Sequence, residues 1–284
     1  MNLKWKQGAA LLLAALLVLL GINILYAKGQ TRVLSVLMYH HFAQESTAET
    51  VVSVHAFRQQ MAAVKEAGFT AVTVEQIRAF VEEGEPLPDK PILITMDDGY
   101  TSNLTLAAPI LEELGLRATV FVIGINEGET VYVHSGQPLT PPRFSYEEAA
   151  PWVEKGVLDL QSHTYDLHQL ASYGYSGRDG VLPLEGESHE AYEAVLRKDM
   201  EQFRQRREGR VTTDLIALAY PFGYWTEEAD RLLEEEGIAL TFTTESHSNR
   251  LTPGDPSCLR RMGRYNVTES MDGQTLKRLL EDAL

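Results

Sequence analysis

Apolar runs and amphipathic stretches alternate along nearly the whole chain. Residues 33–38 (VLSVLM), 71–74, 91–96 (PILITM), 118–123 (ATVFVI), 157–162, 215–219, 239–244 and a stretch near 261–267 read as strands. Helical spacing fills the gaps. Ser53 caps a helix with Phe57, Met61, Val64 and Ala67 on one face before Gly68. Further helices are expected over 75–83, 102–114, 145–155, 189–207, 227–236 and 275–284, the first five of these mostly stopped by glycine. Two polar segments, the Pro-rich 126–144 and the Gly- and Tyr-rich 168–188, interrupt the alternation. Strand–helix alternation predicts right-handed βαβ units and a parallel sheet with both faces covered. Seven or so units over this length favour a barrel over an open sheet. His40, Asp97, Asp98, His163 and Pro221 all fall just past the C-terminal ends of apolar strands. In an α/β barrel those ends meet on one face, where active sites are built.

The first 27 residues carry a different pattern. Gly8 to Ala27 is an uncharged run preceded by Lys4 and Lys6, with no acidic residue before Glu45. Such a run matches the ~20 residues needed to cross a bilayer core, and basic residues ahead of it favour export of the rest of the chain. The expectation is a membrane anchor over 1–27, a tether over 28–32 and one domain over 33–284, outside the cytoplasm. A cleaved signal peptide is the rival reading, weakened by Leu25, which stands where cleavage before Lys28 wants a small residue.

Composition narrows the function classes. The 284 residues are 44% hydrophobic and 23% charged, enough for one well-buried α/β domain. The formal net charge of −15 argues against a nucleic-acid partner. The lone cysteine, Cys258, excludes a disulfide framework and a Cys-rich zinc module.

Asp97 and Asp98 follow PILIT, so their carboxylates sit at the lip of a buried strand, although Asp-Asp-Gly is also an ordinary turn. Neighbouring strand residues face opposite ways, which lets the two carboxylates play different roles. His163 and His168, in QSHTYDLHQ, lie at another strand end. Two histidines with one carboxylate and open positions form a catalytic-metal arrangement. Their five-residue offset does not share a helix face, so His168 must reach a metal from a loop.

TMDDGY (95–100) resembles the T-F-D-D-G motif of the polysaccharide deacetylases, the NodB-homology family or carbohydrate esterase family 4, and QSHTYDLH (161–168) is similar to its H-S/T-x-x-H motif. The resemblance covers about 33–267. It implies a distorted (β/α)7 barrel, Asp97 as general base, and Asp98, His163 and His168 as ligands of a divalent metal, Zn2+ first with Fe, Co or Ni as alternatives. It also implies an N-acetylated polysaccharide as substrate, acetate as product, and a backbone N–H at Tyr100 stabilising the oxyanion.

The departures matter. The five-residue histidine offset, LMYHHF near the start and LAYPFG at 218–223 look like the subgroup containing exported poly-N-acetylglucosamine deacetylases. No late Leu-x-His supplies an acid, and His247 reads as a loop residue. By the matching position in that subgroup the acid is His40, with His41 its competitor. Tyr220 and Pro221 belong to the substrate-side motif, which lacks the family's preceding Arg. Arg261, in LRRMGR, is the expected substitute, and a surface Arg paired with acidic neighbours is the alternative. Trp225 and Tyr224 are candidates to wall the sugar site, with core or loop cover as the other reading. Two further classes compete: a catalytically silent polysaccharide-binding protein on the same scaffold, suggested by the missing Arg and the missing Asp-x-x-Asp-Trp motif, and a two-carboxylate glycosidase, which leaves the histidines unexplained.

Overall fold

The computed structural model of the chain describes residues 31–284. The expected anchor and all but the end of the tether lie outside the described residues. Among the described residues no helix is long and apolar enough to cross a membrane.

In chain order the strands are β1 (Arg32–Tyr39), β2 (His41–Ala43), β3 (Val51–Ser53), β4 (Thr70–Ala71), β5 (Pro91–Asp98), β6 (Ala118–Val122), β7 (Leu158–Ser162), β8 (Ala217–Ala219), β9 (Leu240–Phe242), β10 (Asn249–Leu251) and β11 (Tyr265–Asn266). The α-helices are α1 (Val54–Glu66), α2 (Val74–Glu82), α3 (Ala108–Leu114), α4 (Tyr146–Glu154), α5 (His189–Arg207), α6 (Glu227–Glu235) and α7 (Gly273–Asp282).

Parallel ladders join β1, β5, β6, β7, β8 and β9 in that order. Met262 bridges Phe242 of β9, and β11 a few residues later pairs in parallel with β1. The segment from Met262 to Asn266 thus touches both edges of the curled sheet. The α/β class and the parallel curl match the alternation in the sequence. The curl is irregular where it returns to β1: a lone bridge and a two-residue strand do the joining, and β10 pairs with β1 antiparallel.

Period-two alternation sorts the strand side chains. Leu34, Val36, Leu93, Phe121, Ala219 and Phe242 pack together in the interior. Leu37, Ile94, Met96, Val120 and Leu160 face outward under the helices. Thr95 and Asp97 follow Leu93 on the inner face, and Gln161 and His163 alternate with the outward Leu158 and Leu160. The polar residues at the strand ends therefore complete the interior column rather than the surface.

Helix starts follow local capping chemistry. Ser53 accepts the Ala56 N–H, and Thr73 and Ser145 head capping boxes with Gln76 and Glu148. Thr73 is also why the strand expected over 71–74 ends at Ala71. The helix expected over 102–114 opens as a π turn, Asn103–Ala107, before α3. Gly223, at φ 75°, backs onto Thr244 so closely that a Cβ would collide with its backbone and hydroxyl. Gly223→Ala is expected to lower unfolding free energy by more than about 1 kcal/mol, read from the urea midpoint.

Candidate active site

Three chain segments meet at the C-terminal ends of β5 and β7. Asp98, His163 and His168 each offer one ligand atom, all within 4.8 Å of one another. His163 Nε2 lies 3.7 Å and His168 Nε2 3.5 Å from Asp98 Oδ1. Asp98 Oδ1 is buried without a hydrogen-bond partner, an arrangement that an added cation satisfies. His163 Nδ1 lies 2.7 Å from the Ala219 carbonyl, which only accepts, so Nδ1 carries the proton and the Nε2 lone pair faces Asp98. Burial holds the His163 ring neutral, bringing its pKa down to about 4. Burial pushes the Asp98 carboxyl up, but His168 and His163 outweigh it and hold it well below the usual carboxylate range. Two imidazoles and one carboxylate with open positions fit a divalent first-row metal.

The backbone is bent to make this set. Asp98 has φ 74°, and Thr164 (φ 66°) and Phe222 (φ 59°) flank the same face. Non-glycine residues rarely adopt such values, and they concentrate at functional sites. The turn at Asp98 swings its carboxylate to the histidines, whereas Asp97 stays in strand register and points inward.

The loop carrying His168 is gripped from two sides. Gly124 and Ile125 donate their N–H groups to the Thr164 and Tyr165 carbonyls (3.0 and 2.8 Å). From α5, the buried Asp199 carboxylate accepts the Tyr165 and Asp166 N–H groups, both at 2.8 Å. Burial, with the backbone donors pulling against it, pushes the Asp199 carboxyl up to about 7. The five-residue offset is thus met by an irregular turn wrapped on Asp199. Phe222 closes the other side, its ring centroid 4.5 Å from that of His168.

Asp97 lies beside the three ligands, its Oδ2 3.9 Å from His163 Nε2. Arg264 grips it with both prongs, Nη1 to Oδ1 at 2.7 Å and Nη2 to Oδ2 at 2.9 Å, and Arg264 Nε donates to the Thr243 carbonyl at 2.9 Å. The arginine is fully buried (0% exposed). Burial raises the Asp97 pKa, and Arg264, through its charge and its paired hydrogen bonds, leads the interactions that more than reverse this, so the carboxylate is ionised at neutral pH.

Arg264, not Arg261, is therefore the arginine on Asp97. Both belong to LRRMGR, but Arg261 sits at φ 55° and turns outward, its guanidinium 4.6 Å from the Trp225 ring centroid and its Nε 3.7 Å from Asp230. Tyr220, expected on the substrate side, is instead fully buried, with its hydroxyl donating to Asp230 Oδ1 at 2.7 Å. Trp225 packs against the cluster containing Tyr220, and Tyr224 is exposed beside Phe222. Pro221 is buried and begins the turn that presents Phe222. His40 and His41 part ways. His40 lies near enough that its charge acts on both Asp97 and Asp98. His41 Nδ1 is 2.8 Å from Ser102 Oγ, and its ring packs on Tyr100. The Tyr100 N–H is left out of the ladder to Arg143, which uses the N–H groups of Thr101 and Phe144. His247 lies exposed in a loop, its ring against Gly263.

Arg143, Arg264, Asp199 and Phe222 went unread as site residues in the sequence. The Arg143 guanidinium stacks 3.6 Å from the Tyr100 ring centroid, with Nη2 3.9 Å from Asp98 Oδ2. Only Arg264 had a usable signal, its place three residues beyond Arg261 beside the last strand.

A family model described as polysaccharide deacetylase matches residues 84–241. The chain is 25% identical over 225 residues to the poly-beta-1,6-N-acetyl-D-glucosamine N-deacetylase of Escherichia coli (strain K12), covering 73% of this chain and 33% of that protein. It thus spans about a third of that relative's length. The structure of IcaB from Ammonifex degensii superposes with a TM-score of 0.71 at 26% identity, over 88% of this chain and 97% of that one. A de-N-acetylase from Aggregatibacter actinomycetemcomitans shares the fold, with a TM-score of 0.73 at 19% identity over 87% and 99% of the two chains. The chain belongs to the polysaccharide deacetylase family.

Two substitutions test this geometry. Arg264→Met leaves Asp97 buried without its partner and is expected to cost about 3–5 kcal/mol in denaturant unfolding, part of it recovered when Asp97→Asn is added. Asp199→Asn loosens the His168 loop and is expected to weaken Zn2+ binding about 10–100-fold in competition with a chromophoric chelator.

Proposed function

We propose that the protein is a metal-dependent N-deacetylase acting on N-acetylglucosamine units of a polysaccharide outside the cytoplasm, held at the membrane by the apolar run over 8–27. The observation that carries the reading is the ionised Asp97 carboxylate, fixed by Arg264 beside the Asp98–His163–His168 set but not one of its three members. A pure binding site has no use for a buried, arginine-clamped carboxylate next to three ligands. The poly-N-acetylglucosamine deacetylases among its relatives support this substrate class.

A divalent ion held by Asp98, His163 and His168, Zn2+ or alternatively Fe, Co or Ni, would polarise the acetamide carbonyl and lower the pKa of water to about 7. The chain's own residues supply the rest. Asp97 accepts the proton of the attacking water, and Arg264 holds the carboxylate in the orientation to do so. The Tyr100 N–H donates to the oxyanion that develops on the acetamide, where one such donor is worth about 2.7–4 kcal/mol. His40 then protonates the departing amine, because an amide nitrogen leaves poorly without a proton. The products are acetate and a glucosamine unit. Of the two missing motifs that favour a silent scaffold, the arginine has a stand-in in Arg264, which grips Asp97.

Acetate release from N-acetylated poly-glucosamine is expected to stop on addition of a chelator and return with Zn2+. Asp97→Asn is expected to cut turnover about 10²–10⁴-fold while metal content stays native. Asp98→Ala and His163→Ala should lose metal and turnover together; a variant of either kind with native turnover overturns the assignment.

A further inference from the structure

The two insertions, 126–144 and 168–188, build a cleft of about 490 Å3 directly on the candidate metal set, with Asp98 and His168 in its lining. This is within the ~300–1,000 Å3 range of small-ligand sites. His134 staples one insertion to the start of the other. Its Nε2 lies 2.7 Å from Asp166 Oδ1 and 3.1 Å from Gln169 Nε2, and its ring stacks on Tyr175 with centroids 5.1 Å apart. Tyr132 comes next, 6.1 Å from Tyr175. Tyr173 and Tyr175 are left 47% and 44% exposed although they line the cleft. Exposed aromatic rings grouped at a cavity mark a contact surface rather than a core.

Charge narrows the occupant. Among the described residues the lining holds one carboxylate, Asp98, committed to the histidines, and one guanidinium, Arg143, stacked on Tyr100. The protein as a whole is strongly acidic, at −15, and would draw in a cationic glycan. The cleft itself offers such a glycan no free carboxylate and sets Arg143 against it. Asn126 Oδ1 and Arg143 Nε, from two residues of the lining, are buried without hydrogen-bond partners.

We infer that this cleft holds a neighbouring sugar ring of the same glycan, uncharged and still N-acetylated, stacked on the wall formed by Tyr132 and Tyr175. The inference deepens the deacetylase reading and rests on it for the ring placed over Asp98 and His168. The enzyme then works on fully acetylated stretches and loses affinity once the neighbour has become an amine.

The test measures binding of an N-acetylglucosamine pentasaccharide and its fully de-acetylated counterpart to the full chain, kept in chelator so that nothing turns over. The native chain should prefer the acetylated ligand, and Tyr175→Ala should bind it about tenfold more weakly. Tyr175→Phe, which keeps the ring, should bind like the native chain. Equal binding by Tyr175→Ala, or equal or tighter binding of the de-acetylated ligand by the native chain, overturns the inference. If Tyr175-dependent binding is found but the Zn2+-loaded chain releases no acetate, the deacetylase reading fails and the sugar site stands.

Discussion

The bidentate pair between Arg264 and Asp97 governs the interior of this protein. Both side chains are out of water, where each charge alone would be costly and where removing one partner strands the other. The pair survives because every prong is used: two on the carboxylate, a third on the Thr243 carbonyl, with Thr95 Oγ1 3.3 Å from Nη1. It also ties the ends of the fold together, since Asp97 closes β5 while Arg264 lies in the segment that returns the sheet to β1. Chemistry and closure therefore share one contact.

Around that pair the charges are sorted by environment. His163 is kept neutral by burial and by the Ala219 carbonyl, which directs its free lone pair at Asp98. Asp98 stays ionised because His168, His163, His40 and Arg143 together outweigh the cost of its burial. Adjacent carboxylates in a single turn thus acquire separate duties: one is held by arginine, the other is left with an orphaned oxygen among histidines. The left-handed backbone at Asp98 separates them, turning one side chain out of the strand's alternation, and the surrounding sheet and helices hold that strained residue in place.

The His168 loop shows a second economy. A five-residue step between ligands suits neither a helix nor a strand, so the loop needs an external template, and Asp199 supplies one by occupying two backbone donors at once. The residue sits on α5, some thirty positions downstream, and acts only through the loop it shapes. The insertions then frame the approach to Asp98 and His168, so the wall of the cleft there is made largely of chain outside the family motifs.

The sequence by itself settled what depends on local periodicity. Alternating strands and helices, the capping serines and threonines, and the placing of Asp97, Asp98 and His163 beyond buried strands all come from patterns a few residues long. The motif pair TMDDGY and QSHTYDLH marked Asp98, His163 and His168, which the structure gathers, because those residues are close along the chain to the strands that position them. Tertiary structure alone decided which arginine reaches Asp97, because Arg261 and Arg264 are alike in a sequence and are separated only by a left-handed turn that sends one outward and the other into the core. It likewise removed Tyr220 to the Asp230 network and brought in Asp199, Phe222 and Arg143 from distant segments. Contacts of that kind depend on how the sheet curls and where its loops land, which short-range spacing does not encode.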